Sequence, residues 1–68
     1  MINVAEIEAR MQRAKLLPGD IALELSASGI RITEREVRDI IKGVVIPSWD
    51  HLVKIAILLG CTPQELII

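Results

Sequence analysis

Aromatic side chains are nearly missing from this chain: Trp49 is the only one among 68 residues, with no Phe and no Tyr. A core must then be built from Ile, Leu, Val and Ala, which favours packed helices over an aromatic-rich sandwich. Cysteine is as scarce. The single Cys61 excludes an intramolecular disulfide framework, and nothing else stands at zinc-ligand spacing, so the chain folds without staples and suits a reducing cytosol. No apolar run reaches the roughly 18 residues of a membrane span. Asn3, Glu6 and Glu8 occupy the place where a signal peptide would be hydrophobic, and a cytoplasmic protein without membrane contact is expected. There is no alternating strand pattern between hairpin turns, no internal repeat and no low-complexity stretch. A Gly-rich phosphate loop, a paired-carboxylate cleft and a nucleophile motif are missing too, which argues against an enzyme and against any cofactor. His51 has no second ligand at metal spacing and reads as an exposed polar residue, Cys61 as a small packing residue.

A strong basic balance is also missing. The net charge is −1 and the isoelectric point about 5.7, which argues against wholesale attraction to nucleic acid. The distribution is more informative than the total. Arg31, Arg35, Arg38 and Lys42 against Glu34, Glu36 and Asp39 leave a local +1 between residues 31 and 42, and the remainder carries −2.

What is abundant is aliphatic residue and helix punctuation. Apolar residues make up 51% of the chain, high for a small monomer, and part of that excess suits an intersubunit surface. Asn3 with Glu6 starts a first helix in which Val4, Ile7, Met11 and Ala14 recur as far as about Leu16. Pro18 and Asp20 open a second, with Ile21, Ala22 and Leu25 inward and an end at Ala27 or Ser28 before Gly29. Ile30 and Ile32 in the connection are expected to tuck inward. Thr33 and Glu36 form a capping box for a third helix that Gly43 closes, with Val37, Ile40 and Ile41 on one side and Arg35, Arg38, Asp39 and Lys42 opposite or flanking. Ser48 caps a fourth, whose inner face is read as Trp49, Leu52, Val53, Ile55, Ala56 and Leu59 before Gly60. Thr62, Pro63, Gln64 and Glu65 form another capping box, for a brief fifth helix carrying Leu66 and Ile67. The 68 residues form one domain.

Five short helices with a basic third one is the arrangement of a helix-turn-helix domain. Ile21-Ala22, Val37, Ile40, Gly43, Pro47-Ser48, Leu52, Ile55-Ala56, Leu59-Gly60 and Thr62-Pro63-Gln64-Glu65-Leu66 resemble the lambda repressor and Cro (Xre-type) family over nearly the whole chain. The resemblance implies an all-α, five-helix lambda-repressor-like fold. It also implies a Cro-like transcriptional repressor of phage or mobile-element type, in a bacterial cell or phage-infected host, with no small-molecule effector. Such a protein binds double-stranded operator DNA as a homodimer, helix three lying in the major groove of an inverted-repeat site. Three places depart from the family pattern. Pro18 stands where glutamine usually contacts phosphate, the connection between Ala22 and Val37 is longer, and Val44-Val45-Ile46 replaces a polar loop, offering only backbone N–H groups or a dimer contact.

Arg35 and Arg38 are the candidates for reading bases, since arginine pairs bidentately with guanine O6 and N7. Thr33 and Glu34 lie close enough to the helix start to reach bases or phosphates, and Arg31 and Lys42 are placed to hold the backbone. Arg35 and Asp39, four apart, are also spaced for a surface ion pair. Arg10, Arg13 and Lys15 read as a solvated helix surface. Leu66, Ile67 and Ile68 are expected at the dimer interface, and Trp49 in the core or that interface. The competing reading, favoured by the acidic isoelectric point and the apolar loop, is a helix-turn-helix-derived protein-interaction module, antirepressor or antitoxin-like, with little DNA binding.

Overall fold

A computed structural model describes all residues 1–68 and is all-helical. Four α-helices follow one another, α1 Val4–Ala14, α2 Pro18–Ala27, α3 Glu34–Ile41 and α4 Trp49–Leu59, and a single 3-10 turn, Pro63–Leu66, ends the chain. The expected fifth helix is that turn. Its capping box is half-made: the Glu65 carboxylate accepts from the Thr62 N–H at 2.7 Å, but the Glu65 N–H goes to the Thr62 carbonyl at 3.1 Å. The tighter i, i+3 closure takes the donor that the threonine hydroxyl would have capped. None of the helices is long and apolar enough to cross a membrane.

Local side chains start the longer helices. Asn3 Oδ1 accepts from the Glu6 N–H at 3.2 Å, and Ser48 Oγ from the His51 N–H at 3.2 Å. Leu17 has no capping group, so the Asp20 carboxylate reaches back to the Leu17 N–H at 2.8 Å. α1 stops at Ala14 rather than Leu16, because Lys15 turns left-handed at φ 57° and the Leu16 N–H folds back onto the Met11 carbonyl at 2.9 Å. That 6→1 bond is the Schellman closure.

Twelve aliphatic or Met side chains form one core: Ile7 and Met11 of α1, Ile21, Ala22 and Leu25 of α2, Ile32 of the connection, Val37 and Ile40 of α3, Leu52, Ile55 and Ala56 of α4, and Leu66. No polar group is buried with them. Ile30 packs against the same cluster. The two chain ends are tied together, with the Asn3 N–H donating to the Leu66 carbonyl and the Ile68 N–H to the Met1 carbonyl, both at 2.8 Å. Ile2 and Ile67 are thereby bridged in antiparallel fashion. Arg10 adds a clasp, pairing with Glu6 of its own helix at 2.9 Å and reaching Glu65 of the final turn at 3.9 Å.

Two expectations are corrected here. Leu66 is fully buried, because the 3-10 turn folds it under α1 and α4, so it belongs to the core of the single chain and not to a surface for a partner. Ile67 and Ile68 remain exposed. Trp49 is 57% exposed; helical phase alone puts it near Leu52 and Ala56, but as the first residue of α4 it extends past the end of the core.

For a domain of this size the core supplies only about 3–5 kcal/mol of net stability. Leu66→Ala removes a fully buried side chain and is expected to cost about 2–5 kcal/mol, enough to abolish the thermal transition followed by circular dichroism at 222 nm. Leu23→Ala, at a 70% exposed position of α2, should change stability by less than about 0.5 kcal/mol in the same assay.

Candidate nucleic-acid interface

α3 begins at a complete capping box. Thr33 Oγ1 accepts from the Glu36 N–H at 3.1 Å and Glu36 Oε1 accepts from the Thr33 N–H at 3.3 Å. It ends at Lys42, after which Gly43 takes φ +77°, a conformation that costs other residues a backbone clash. The helix therefore has only eight residues, and its orientation about its own axis is set by Val37 and Ile40, which are 1% and 3% exposed. Steps of about 100° then place Arg35, Arg38 and Lys42 within about 60° of one another on the opposite side. All three are exposed, as are Arg31, Thr33, Glu34 and Glu36, and Asp39 is half-buried at one margin. α2 packs against α3 more than against any other element, across the connection of residues 28–33.

The charges on this face are not equivalent. Arg38 is ion-paired with Glu34 one turn earlier, in the order with the acid nearer the N-terminus that the helix dipole favours. The alternative pairing, Arg35 with Asp39, does not form; the chain's ion pairs are those of Arg10, Arg13 and Arg38. Arg31, Arg35 and Lys42 accordingly have no carboxylate within 4 Å, and they supply the uncompensated positive charge of the face. Glu36 is spent on the cap. Glu34 has a second neighbour that the sequence reading missed: its Oε1 lies 2.7 Å from where a Cβ on Gly19 would stand. The carboxylate therefore rests on the first turn of α2, where the helix N-terminus favours negative charge. The Glu-to-Arg spacing was visible in the sequence, whereas the contact with Gly19 exists only once α2 and α3 are packed.

Beyond α3 the loop offers less than was expected of it: of the backbone N–H groups of Val44, Val45 and Ile46, only that of Ile46 has no partner within the chain. The N–H groups of Val44 and Val45 both donate to the Asp39 carbonyl, at 2.9 and 3.3 Å, so they are engaged in closing the helix and not free for phosphate. The side chains of Val44 and Ile46 point outward, 71% and 84% exposed. Elsewhere, burial pushes the Cys61 thiol above its ordinary range, Arg10 opposing the effect and Glu65 and Glu6 adding to it. That is the reverse of an activated nucleophile. No three His, Cys, Asp or Glu residues converge at metal-binding distance.

A short capped helix with a basic outer face, packed on the helix before it and carried by an aliphatic bundle, is the element that helix-turn-helix proteins place in the major groove. The model of the Cro/C1-type HTH DNA-binding domain matches residues 2–68. The chain belongs to that family. No curated protein and no solved structure matches it. Membership makes this Cro/C1-type domain a DNA-binding regulator of a family that is regulatory and not enzymatic.

Two measurements check the geometry. Thr33→Ala removes the cap of α3 and is expected to cost about 1 kcal/mol in urea unfolding. Cys61, less ionised than an ordinary thiol at pH 8, should be alkylated by iodoacetamide more slowly in the folded protein than in urea.

Proposed function

We propose that the chain is a Cro-like repressor of phage or mobile-element type, acting as a single domain over residues 1–68 and binding an inverted-repeat operator as a homodimer with α3 in the major groove. The observation that carries this reading is the face of α3, where Arg35, Arg38 and Lys42 project together from a helix anchored by Val37 and Ile40. Arg35 and Arg38 are assigned to base edges, with Thr33 and Glu34 at the helix start, because guanine presents two acceptors in the groove and arginine supplies paired donors. Arg31 and Lys42, at the ends of the segment, neutralise phosphate. Pro18 and the engaged N–H groups of the loop make these side chains carry more of the backbone contact than the family's usual glutamine would leave them.

A homodimer is supported by what the monomer core leaves uncovered: Ile67, Ile68 and Met1 at the paired chain ends, and Val44, Val45, Ile46 and Trp49 after α3. Ile67 and Ile68 are the assigned dimer contacts. Two-fold symmetry then requires an inverted repeat, and two α3 helices in successive major grooves on one side of the duplex put half-site centres about 34 Å apart, one helical turn of DNA. No effector is invoked, so occupancy follows protein concentration and competition for the operator.

The test is selection of bound sequences from a random duplex pool, followed by footprinting and a salt titration. A palindromic footprint whose affinity falls steeply between about 50 and 200 mM salt is expected. Arg35→Ala should cost about 1–3 kcal/mol and relax preference at one position, while Lys42→Ala should weaken all sequences alike and lower the salt slope by about 1. Absence of binding at the low-salt end would overturn the proposal.

A further inference from the structure

The ion pair on α3 joins the helix's one engaged arginine to a carboxylate that is itself held in place. One oxygen of Glu34 lies against α2 at Gly19, in the space that any side chain at position 19 would fill, and the other meets the Arg38 guanidinium. Neither group is hidden by this: the side chains are 46% and 56% exposed respectively. Both groups keep exposed surface next to one another: Arg38 on the side of Arg35 and Lys42, and Glu34 at the margin of that face nearest α2.

The two groups have opposite hydrogen-bonding character. A guanidinium has only donors and a carboxylate only acceptors, so the pair presents two donors next to an acceptor, already in contact. The major-groove edge of a G·C pair offers the complement: two acceptors on guanine, N7 and O6, followed by the N4 donor of cytosine. O6 and N4 are themselves hydrogen-bonded to each other across that pair, so their spacing matches that of two groups in an ion pair. An A·T edge interrupts the pattern, placing a donor between two acceptors, and would set thymine O4 against the carboxylate.

We propose that Glu34 and Arg38 read one G·C base pair as a unit, Arg38 on guanine O6 and N7 and Glu34 on cytosine N4, with Gly19 providing the seat that aims the carboxylate. This rests on the reading of α3 as the DNA-contacting helix. Glu34 then acts as a specificity-determining residue in two ways. It accepts from the correct base and holds Arg38 extended toward it. In any other register it brings a negative charge to base acceptors and phosphates, and so weakens binding to non-cognate duplex.

Three proteins and two readouts test the inference: the unmodified chain, Glu34→Ala and Gly19→Ala, each measured for base preference by selection and for affinity toward a random duplex. The unmodified chain should select G·C at one position of each half-site. In Glu34→Ala preference there should fall by about tenfold while affinity for random duplex rises, because a negative charge has left the face. In Gly19→Ala, which displaces the carboxylate but removes no charge, preference should fall without that rise. Alanine is compatible with a helical position, and thermal unfolding verifies that both variants are folded. Unchanged base preference in Glu34→Ala overturns the inference, as does a parallel loss of affinity for random duplex, which is what a merely structural ion pair would give. If the unmodified chain selects no sequence, the reading of α3 fails instead, and that failure is seen without any variant.

Discussion

Everything that α3 can present depends on the burial of Val37 and Ile40. Eight residues are too few for a helix to hold its own orientation, and the basic face exists as a face only because these two side chains are locked into an all-aliphatic cluster with Ile21, Leu25 and Ile55. With the inner side fixed, the helical period fixes the outer one. The same dependence explains why the connection contributes Ile32 to the core and Ile30 to its margin. A longer approach to the helix is tolerated because part of it is buried.

The second constraint is electrostatic. An acidic chain that binds a polyanion must concentrate its few cations, and here the concentration is achieved by spending carboxylates on other tasks. Glu36 caps α3, Glu6 and Glu65 hold Arg10, and Asp20 closes the start of α2. Glu34 is different, since it sits on the face itself. Its position between Gly19 and Arg38 ties the chemistry of the exposed surface to the packing of the two helices beneath it.

Much of this architecture was legible in the residues because its determinants are local. The caps at Asn3, Thr33 and Ser48 bond to an N–H three residues on, so spacing alone locates them. The apolar stripes of α2, α3 and α4 follow from the 3.6-residue period, and the order from Gly43 to Leu66 carried the family resemblance that the match over residues 2–68 bears out. Reading the chain end was harder. A run of Leu66, Ile67 and Ile68 looks uniformly apolar, and only the 3-10 turn with its backbone bonds to Met1 and Asn3 divides it into one core residue and two exposed ones. Trp49 falls outside the core, though not outside the interface it was also read for, for a related reason: helical phase ranks positions around an axis but says nothing of where along the axis the core ends.

The sequence by itself therefore determined the four α-helices, the caps at Asn3, Thr33 and Ser48 and the side of α3 that carries the cations, which arise from contacts within about four residues, and through its composition the aliphatic character of the core. Tertiary structure alone decided which charges on that side are free. Helical spacing permits both Glu34–Arg38 and Arg35–Asp39, and the packed chain forms the first pair only, with Glu34 seated on Gly19 some fifteen residues away in the chain. The basic face of α3 is thus one of three unpaired cations and a coupled acid and base, and that coupling belongs to the fold.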